Sequence, residues 1–290
     1  MKALFGKTAI ITGANQGLGL AISTEFVKAG ASIIMCARDA EKLKEASESL
    51  LPLATENQVV VAFPADVSSQ ESVYALVQNS LTNFPQIHIL VNNAGIYGPM
   101  GFIEDVNWDE WVQAIEINFL GSVLMCRALL PHFKSHQFGK IIQLSGGGAT
   151  NPLPRISAYA ASKTAIIRFA ETLAEEVRGT GIDVNAIAPG ALNTRLLDQV
   201  LMAGEEKVGA DFFERALKQK TEGGVSLEKA AKLAVFLAST ASDGITGKLI
   251  SAVWDPWESF PDYLDELINT DIYTLRRITP SQRGMNWGGK

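Results

Sequence analysis

Histidine and cysteine are scarce in this sequence: three histidines and two cysteines among 290 residues. His88, His132 and His136 show no metal-ligand grouping beyond the His132/His136 pair, which reads as two surface residues one turn apart at a helix end. No metal site is expected. Cys36 lies in an apolar, strand-like run and Cys126 in a helical one. Both read as buried free thiols in a reducing compartment, which gives a cytoplasmic location. Positive charge is also short. The formal net charge is −6 and the pI about 5.2, whereas a general nucleic-acid binder is usually basic, so that class is disfavoured. No apolar run approaches the ~18–20 residues of a membrane span, and no membrane partner is expected. Residues 1–7 have no apolar core and lead straight into a strand, so no secretory leader is expected. Repeats, low-complexity stretches and linkers are missing until the tail beyond residue 253.

What is present is an ordinary globular composition, 47% hydrophobic and 19% charged, arranged as alternating strands and helices. Thr8-Ala-Ile-Ile11 is a β-branched run. Gly13-Ala-Asn15-Gln16-Gly17-Leu18-Gly19 follows, then a segment with Leu18, Ile22 and Phe26 on one helical stripe. Strand, glycine-rich turn and helix form the order in which backbone N–H groups can approach a pyrophosphate at a helix N-terminus. Further strands are expected over 31–36, 58–63, 87–91, 140–145, 181–187 and 248–253, with helices over 41–50, 69–84, 108–132 and 227–239. The alternation predicts an α/β fold with a doubly wound, Rossmann-type parallel sheet of seven strands, one domain over 1–253. The first and fourth strands should lie side by side, where the ligand crevice opens. Asn92-Asn93-Ala94-Gly95 would then border a dinucleotide beside the glycine loop.

At the end of the second strand, an NAD site carries an acid for the 2′-hydroxyl of the adenosine ribose. Here Ala37 stands in that place and Arg38 follows. A guanidinium pairs well with a 2′-phosphate. The sequence therefore predicts NADP(H), with NAD(H) possible because Asp39 can neutralise Arg38 in part. Asp66 and Val67, after the third strand, are placed to meet the adenine.

The segment Ser157-Ala-Tyr159-Ala-Ala-Ser-Lys163 sets a phenol and an ammonium four residues apart, hence on one face of a helix. Ile166, Phe169, Ala170, Leu173 and Val177 continue the helical period, and Ser157 can cap its start. A nearby positive charge favours the phenolate, so Tyr159 is expected to be more acidic than the ordinary value of about 10. Such a group is a general acid–base catalyst. Taken alone, the pair is common on helices. Asn118 falls in mid-helix, where asparagine competes for backbone bonds and reads as a satisfied polar residue.

With these pieces in order, residues 4–253 resemble the short-chain dehydrogenase/reductase family. The resemblance rests on Thr12-Gly-x3-Gly-x-Gly19, Asn92-Asn-Ala-Gly95, Asn118, Tyr159-x3-Lys163 and Pro189-Gly190-x3-Thr194. It implies an oxidoreductase that passes a hydride between a nicotinamide and a small ketone or secondary alcohol, in a homodimer or homotetramer. Tyr159 would be the proton donor, or the base in reverse. Lys163 would hold the nicotinamide ribose, and Asn118 would support a relay water. Thr194 and the backbone around Ile187 and Pro189 would fix the carboxamide. The family also places a serine after the fifth strand, with twelve residues between it and the tyrosine. That spacing falls on Gly146, while Ser145 leaves thirteen between. Ser145 is the expected holder of the role.

The stretch 193–225, interrupted by Gly204 and Gly209, is expected to form a mobile substrate lid. The extension 254–290 is too apolar for a disordered tail. It is expected to carry a helix over 261–269 and to pack on the domain or on a neighbouring subunit. A sharper reading has it close the pocket, with Arg155, Arg195 or Arg276 meeting an anionic substrate. Two other functions share the fold: a sugar-nucleotide epimerase or dehydratase, and a non-catalytic NADP-binding regulatory protein.

Overall fold

The run Thr8–Thr12 (β1) is buried along its whole length. An apolar run without polar alternation suits a parallel strand covered on both faces. The computed structural model, which describes residues 2–287, bears this out. After β1 come α1 (Gly17–Lys28), β2 (Ser32–Ala37), α2 (Ala40–Leu50), β3 (Val60–Pro64), α3 (Gln70–Asn83) and β4 (Ile89–Asn92). Next are α4 (Trp108–Ile115), a π-turn at Glu116–Leu120, α5 (Gly121–His136), β5 (Gly139–Leu144), α6 (Ser157–Glu176) and β6 (Ile182–Ala188). The lid follows as α7 (Arg195–Ala203), α8 (Glu205–Val208) and α9 (Ala210–Glu222), then α10 (Leu227–Ala238), β7 (Leu249–Ser251) and α11 (Leu264–Asn269).

All seven strands are parallel, in the order β3-β2-β1-β4-β5-β6-β7. β1 and β4 are neighbours, so the expected crevice lies where crossovers leave for opposite faces. Successive side chains alternate across the sheet. Ile11, Ile33 and Met35 therefore join one core with α1 and α10, and Ile10 and Ile34 join another with α3, α5 and α6.

Element ends differ from the sequence expectation where a side chain takes a backbone group. Gln58 lies outside β3 because its amide donates to Val27 O at 2.7 Å and Ala31 O at 2.8 Å. Ile87 lies outside β4, and its N–H donates to Nε2 of His132 at 3.0 Å. His132 is thus a half-buried acceptor, and only His136 of that pair is exposed. β7 stops at Ser251 because Oγ of Ser251 accepts from Val253 N and Trp254 N, which turns the chain. Ser157 does not cap α6. The cap position is Ile156, without a side-chain bond, and Oγ of Ser157 accepts from Trp111 Nε1 at 3.0 Å. The helical stretch Trp108–His136 is, by length and composition, long and apolar enough to cross a membrane, which corrects the expectation from apolar runs. Its inner face, including Met125, Leu129 and Phe133, fills the second core.

The tail packs on its own domain through a 3-10 turn, Trp257–Tyr263, and α11, so the first third of the expected helix over 261–269 is 3-10. Trp257, Phe260 and Leu267 enter the first core. Tyr273 O accepts Leu249 N at 2.8 Å and covers the open edge of β7. Lys248 Nζ donates to Thr270 O and Ile272 O, and Leu275 N donates to Glu171 Oε1 at 2.6 Å. These bonds tie the extension to β7 and α6 of its own chain; residues 288–290 lie outside the described residues. Gly204 and Gly209, at φ +80° and +88°, break the lid into three helices as their positions suggest.

His88 accepts Thr8 N–H through Nδ1 at 3.1 Å, so it must stay neutral. Burial, helped by Lys7, His132 and His136, lowers its pKa from 6.5 to about 4. The stability that the neutral ring confers is complete above pH 6.5, fades below it, and is lost as pH falls through about 4. Melting temperatures across this range should fall more steeply for the native chain than for His88→Gln; parallel slopes would contradict the assignment.

Candidate active site

The glycine loop fits because three of its positions have no room for a side chain or need a left-handed backbone. Gly13 and Gly17 sit at φ +62° and +55°. A Cβ on Gly19 would lie 2.1 Å from Gly13 O and 2.5 Å from Nδ2 of Asn93. The loop is sewn to the turn after β4. Oγ1 of Thr12 accepts from Asn93 N at 3.0 Å and Ala94 N at 3.1 Å. Asn93 Nδ2 returns bonds to Thr12 O at 2.9 Å and Gly13 O at 3.1 Å. Between these turns and α6 opens a cleft of about 670 Å³.

Nearly all the residues expected to bind cofactor line it. Gly13, Asn15, Gln16, Gly17, Leu18 and Gly19 form one wall, and Ala94 and Gly95 the floor. Arg38, Asp66 and Val67 form one end, and Pro189, Gly190 and Thr194 border the lid. Asn92 is the exception. It is 3% exposed, and its amide donates away from the cleft, to Ser122 O and Cys126 Sγ. β4 runs through Asn92, so strand parity turns that side chain to the far face and leaves Asn93 on the cleft. Both thiols are buried and unbridged, pushed up to about 12 chiefly by burial.

Tyr159 and Lys163 line the opposite wall from α6. The ammonium donates to Leu144 O at 2.8 Å and stands 5.6 Å from the Tyr159 ring centre. The expected acidification of Tyr159 is not found. Burial, with the Tyr97 phenol adding, pushes its hydroxyl well above 10, and burial lowers Lys163 to about 8. In this dry pocket the loss of hydration outweighs the attraction between neighbours. Tyr97 meets Tyr159 edge to face at 4.6 Å between ring centres.

Asn118 sits in the π-turn, fully buried and off the cleft surface. Its side chain is used up: Oδ1 accepts Ile96 N at 2.8 Å, and Nδ2 donates to Ile96 O at 2.8 Å and Ser162 Oγ at 2.9 Å. It ties the floor loop to the catalytic helix. Gly146 is the residue against the phenol: a Cβ there would lie 2.2 Å from Tyr159 Oη. Ser145 lines the cleft next to it, buried, with an Oγ that has no partner. That orphaned hydroxyl and the glycine cradle are features a bound nucleotide and its substrate would complete, and the residues present fit a nicotinamide dinucleotide.

Of the three arginines considered, only Arg195 lines the cleft. Arg155 stacks on Phe102 at 4.2 Å and donates to Glu206 O, while Arg276 pairs with Asp271 at 3.0 Å in the tail. Asn93 lines the cleft, as expected of the Asn92–Gly95 turn, and so does Gly146, raised in the sequence only by the serine spacing; Tyr97 and Trp254 also line it and were not foreseen. The double asparagine was visible in sequence, and only strand parity tells which one faces the ligand.

The family model described as short chain dehydrogenase matches residues 7–203. The chain belongs to this family. Being a short-chain dehydrogenase, it is an oxidoreductase that uses a nicotinamide cofactor on alcohols or ketones. Among curated relatives, it is 34% identical to a 3beta-hydroxysteroid dehydrogenase 1 of Eggerthella lenta, over 84% of this chain and 91% of that one. Among solved structures, it resembles a 3-ketoacyl-(acyl-carrier-protein) reductase from Brucella melitensis complexed with NADH, at 30% identity and TM-score 0.74, covering 86% of this chain and 97% of that one. An NAD+-bound xylitol dehydrogenase gives 25% identity and TM-score 0.79, covering 86% and 98%.

Gly19→Ala should abolish stabilisation by NADPH and lower the melting temperature, since the new methyl would collide with fixed backbone at Gly13. An unaltered NADPH response, read by thermal denaturation, would contradict the placement of the loop.

Proposed function

We propose that the enzyme reduces a ketone with NADPH in preference to NADH, with Tyr159 giving the proton. The observation that carries this reading is the placement of Tyr159 and Lys163 on one cleft wall, facing the glycine cradle. Bound in that cleft, the coenzyme supplies the hydride, or accepts it in reverse. As charge grows on the carbonyl oxygen, the Tyr159 hydroxyl donates its proton to it. The proton is in place at neutral pH, as donation requires, although burial makes the hydroxyl a weaker acid than a free tyrosine. Lys163, held by Leu144 O, offers its remaining N–H donors to the ribose hydroxyls. Ser145 provides a second hydroxyl near the reacting oxygen, and Asn118 positions α6 against the floor loop. The intact Tyr159 and Lys163 favour this over a non-catalytic binding protein, and no observation favours an epimerase.

NADP preference is supported by the adenosine end. Asp39 does not neutralise Arg38. Its Oδ1 caps α2 by accepting Lys42 N at 3.1 Å, and Oδ2 meets Lys42 Nζ at 3.3 Å. Among the described residues, Arg38 has only Asp66 as an ion-pair partner, at 4.0 Å, and both are well exposed. That guanidinium remains available to a 2′-phosphate. A homodimer or homotetramer is supported by the exposed Phe102, Trp108 and Leu120. The cytoplasmic location is supported by the two buried free thiols.

At equal concentration, NADPH should raise the melting temperature more than NADH, and Arg38→Asp should reverse that order; equal shifts would remove the basis for NADP. With a ketone substrate, Tyr159→Phe should cut turnover by about a hundred-fold or more while NADPH still stabilises the protein. Ser145→Ala should cut it about ten-fold, within the range of one positioned donor. An unchanged rate in either variant removes that residue from the mechanism.

A further inference from the structure

The cleft is electrostatically lopsided. Its lining carboxylates, Asp39 and Asp66, both sit at the adenosine end. The half lined by Tyr97, Leu153 and the lid holds no carboxylate, yet the cleft is lined by two arginines of the lid, Arg195 nearer the cofactor end and Arg215. The lid does carry acids, but none of them lines the cleft: Asp198 pairs with Lys220 at 2.7 Å and Glu222 with Lys218 at 3.8 Å, and Glu205, Glu206, Asp211 and Glu214 lie outside the lining. Among the described residues, neither Arg195 nor Arg215 has an ion-pair partner. In a chain of net charge −6, a cationic half-cleft is a local feature that the overall charge does not explain.

The two arginines stand at different depths. Arg195 follows Thr194, whose methyl lies 3.5 Å from where a Cβ of Gly17 would be, so it belongs to the cofactor end. On α9, the cleft-lining residues Phe212, Arg215, Ala216 and Gln219 recur at helical spacing and define one face. Gln219 reaches back to the cofactor end through Nε2, which donates to Asn193 Oδ1 at 3.1 Å. Arg215 is one turn further out, beside the Phe212 ring at 5.8 Å. Apolar side chains also line this cleft: Leu153, Val200, Phe212 and Trp254, the last 85% exposed.

We propose that the substrate carries an anionic group, a carboxylate or a phosphate monoester, joined to the reacting carbonyl by an apolar spacer, and that Arg215 holds this group. The proposal rests on the oxidoreductase reading above and names its substrate class. The apolar walls take the spacer, Tyr159 meets the carbonyl, and the planar guanidinium offers two parallel N–H donors to two anionic oxygens.

The test uses the full chain with NADPH and a length series of straight-chain oxo-carboxylates. Their methyl esters and the matching oxoalkyl phosphate monoesters complete the panel. The reading is the ratio of kcat/KM for the anion over that for its ester. The native chain should favour the anion about ten-fold or more, and the better of carboxylate and phosphate identifies the headgroup. Arg215→Met should bring the ratio close to one, mostly through KM. Arg215→Lys should keep part of it, Arg215→Glu should invert it, and Lys218→Met, on the solvent side, should leave it in place. A native ratio near one, or one unaltered in Arg215→Met, overturns the proposal. Thermal stabilisation of the NADPH complex by the corresponding hydroxy acids and their esters reads the same preference without turnover. If no ketone is reduced, the oxidoreductase reading fails. If acid and ester stabilise the complex equally, the anion site fails.

Discussion

Thr12 closes β1 at the point where the sheet changes direction, and its hydroxyl holds two turns at once. It accepts the N–H groups of Asn93 and Ala94 and donates to Val91 O at 3.4 Å, while Asn93 bonds back to the carbonyls of Thr12 and Gly13. At a topological switch point the two neighbouring strands send their connections to opposite faces, so nothing else covers their carboxyl ends. The gap is needed for a ligand, but the backbone groups around it must still be satisfied. The Thr12–Asn93 clip does this without filling the gap. Once it fixes the turn after β4, Gly13 has Ala94 Cα only 2.9 Å from where a Cβ would be, and Gly19 must pass directly under Gly13 O. The glycine pattern is therefore a consequence of the clip as much as of the nucleotide.

The facing wall depends on α6, which is held from three directions. Its inner stripe, including Ile167, Ala170 and Leu173, lies in the second core. Lys163 is anchored to Leu144 at the end of β5, and Asn118 ties Ser162 to the floor loop. The π-turn gives Asn118 its place: a wider turn inside a helix turns a polar residue inward without ending the helix. The result is a rigid but poorly hydrated pair, Tyr159 and Lys163. Rigidity orients the proton donor, and dryness sets its acidity in the direction opposite to that suggested by a neighbouring cation. An unpaired buried hydroxyl such as that of Ser145 costs about 1–3 kcal/mol, and here the fold carries that cost at the cleft surface, where a ligand can reach it.

Much of this was legible in the residues. Apolar strand runs, helical stripes and punctuating glycines gave seven strands in one sheet and brought β1 beside β4. The motif order located the cleft and most of its lining. What the sequence could not convey was parity, depth and fit. A strand ending one residue later sends Asn92 to the far face and Asn93 to the ligand. The i, i+4 spacing shows that Tyr159 and Lys163 are close, but only packing shows that both are dry. The count from Tyr159 raised Gly146 as an anomaly, and only the three-dimensional contact with the phenol explains why no side chain stands there. The tail announced by its composition that it packs, but not that it would cover the edge of β7.

The lid differs in kind from the sheet that it covers. Leu197, Val200, Val208 and Ala216 form a third, small cluster of their own, separate from both main cores. A few buried contacts joined through left-handed glycines make a unit with low local stability, able to open without disturbing the sheet. The Tyr159–Lys163 pair therefore stands on the part of the molecule with the two large cores, and the 193–225 stretch on a part with few buried contacts. The two parts are joined at Tyr97. Its ring packs against the lid cluster on one side and against Tyr159 on the other, and beside the larger effect of burial its phenol raises the Tyr159 pKa electrostatically.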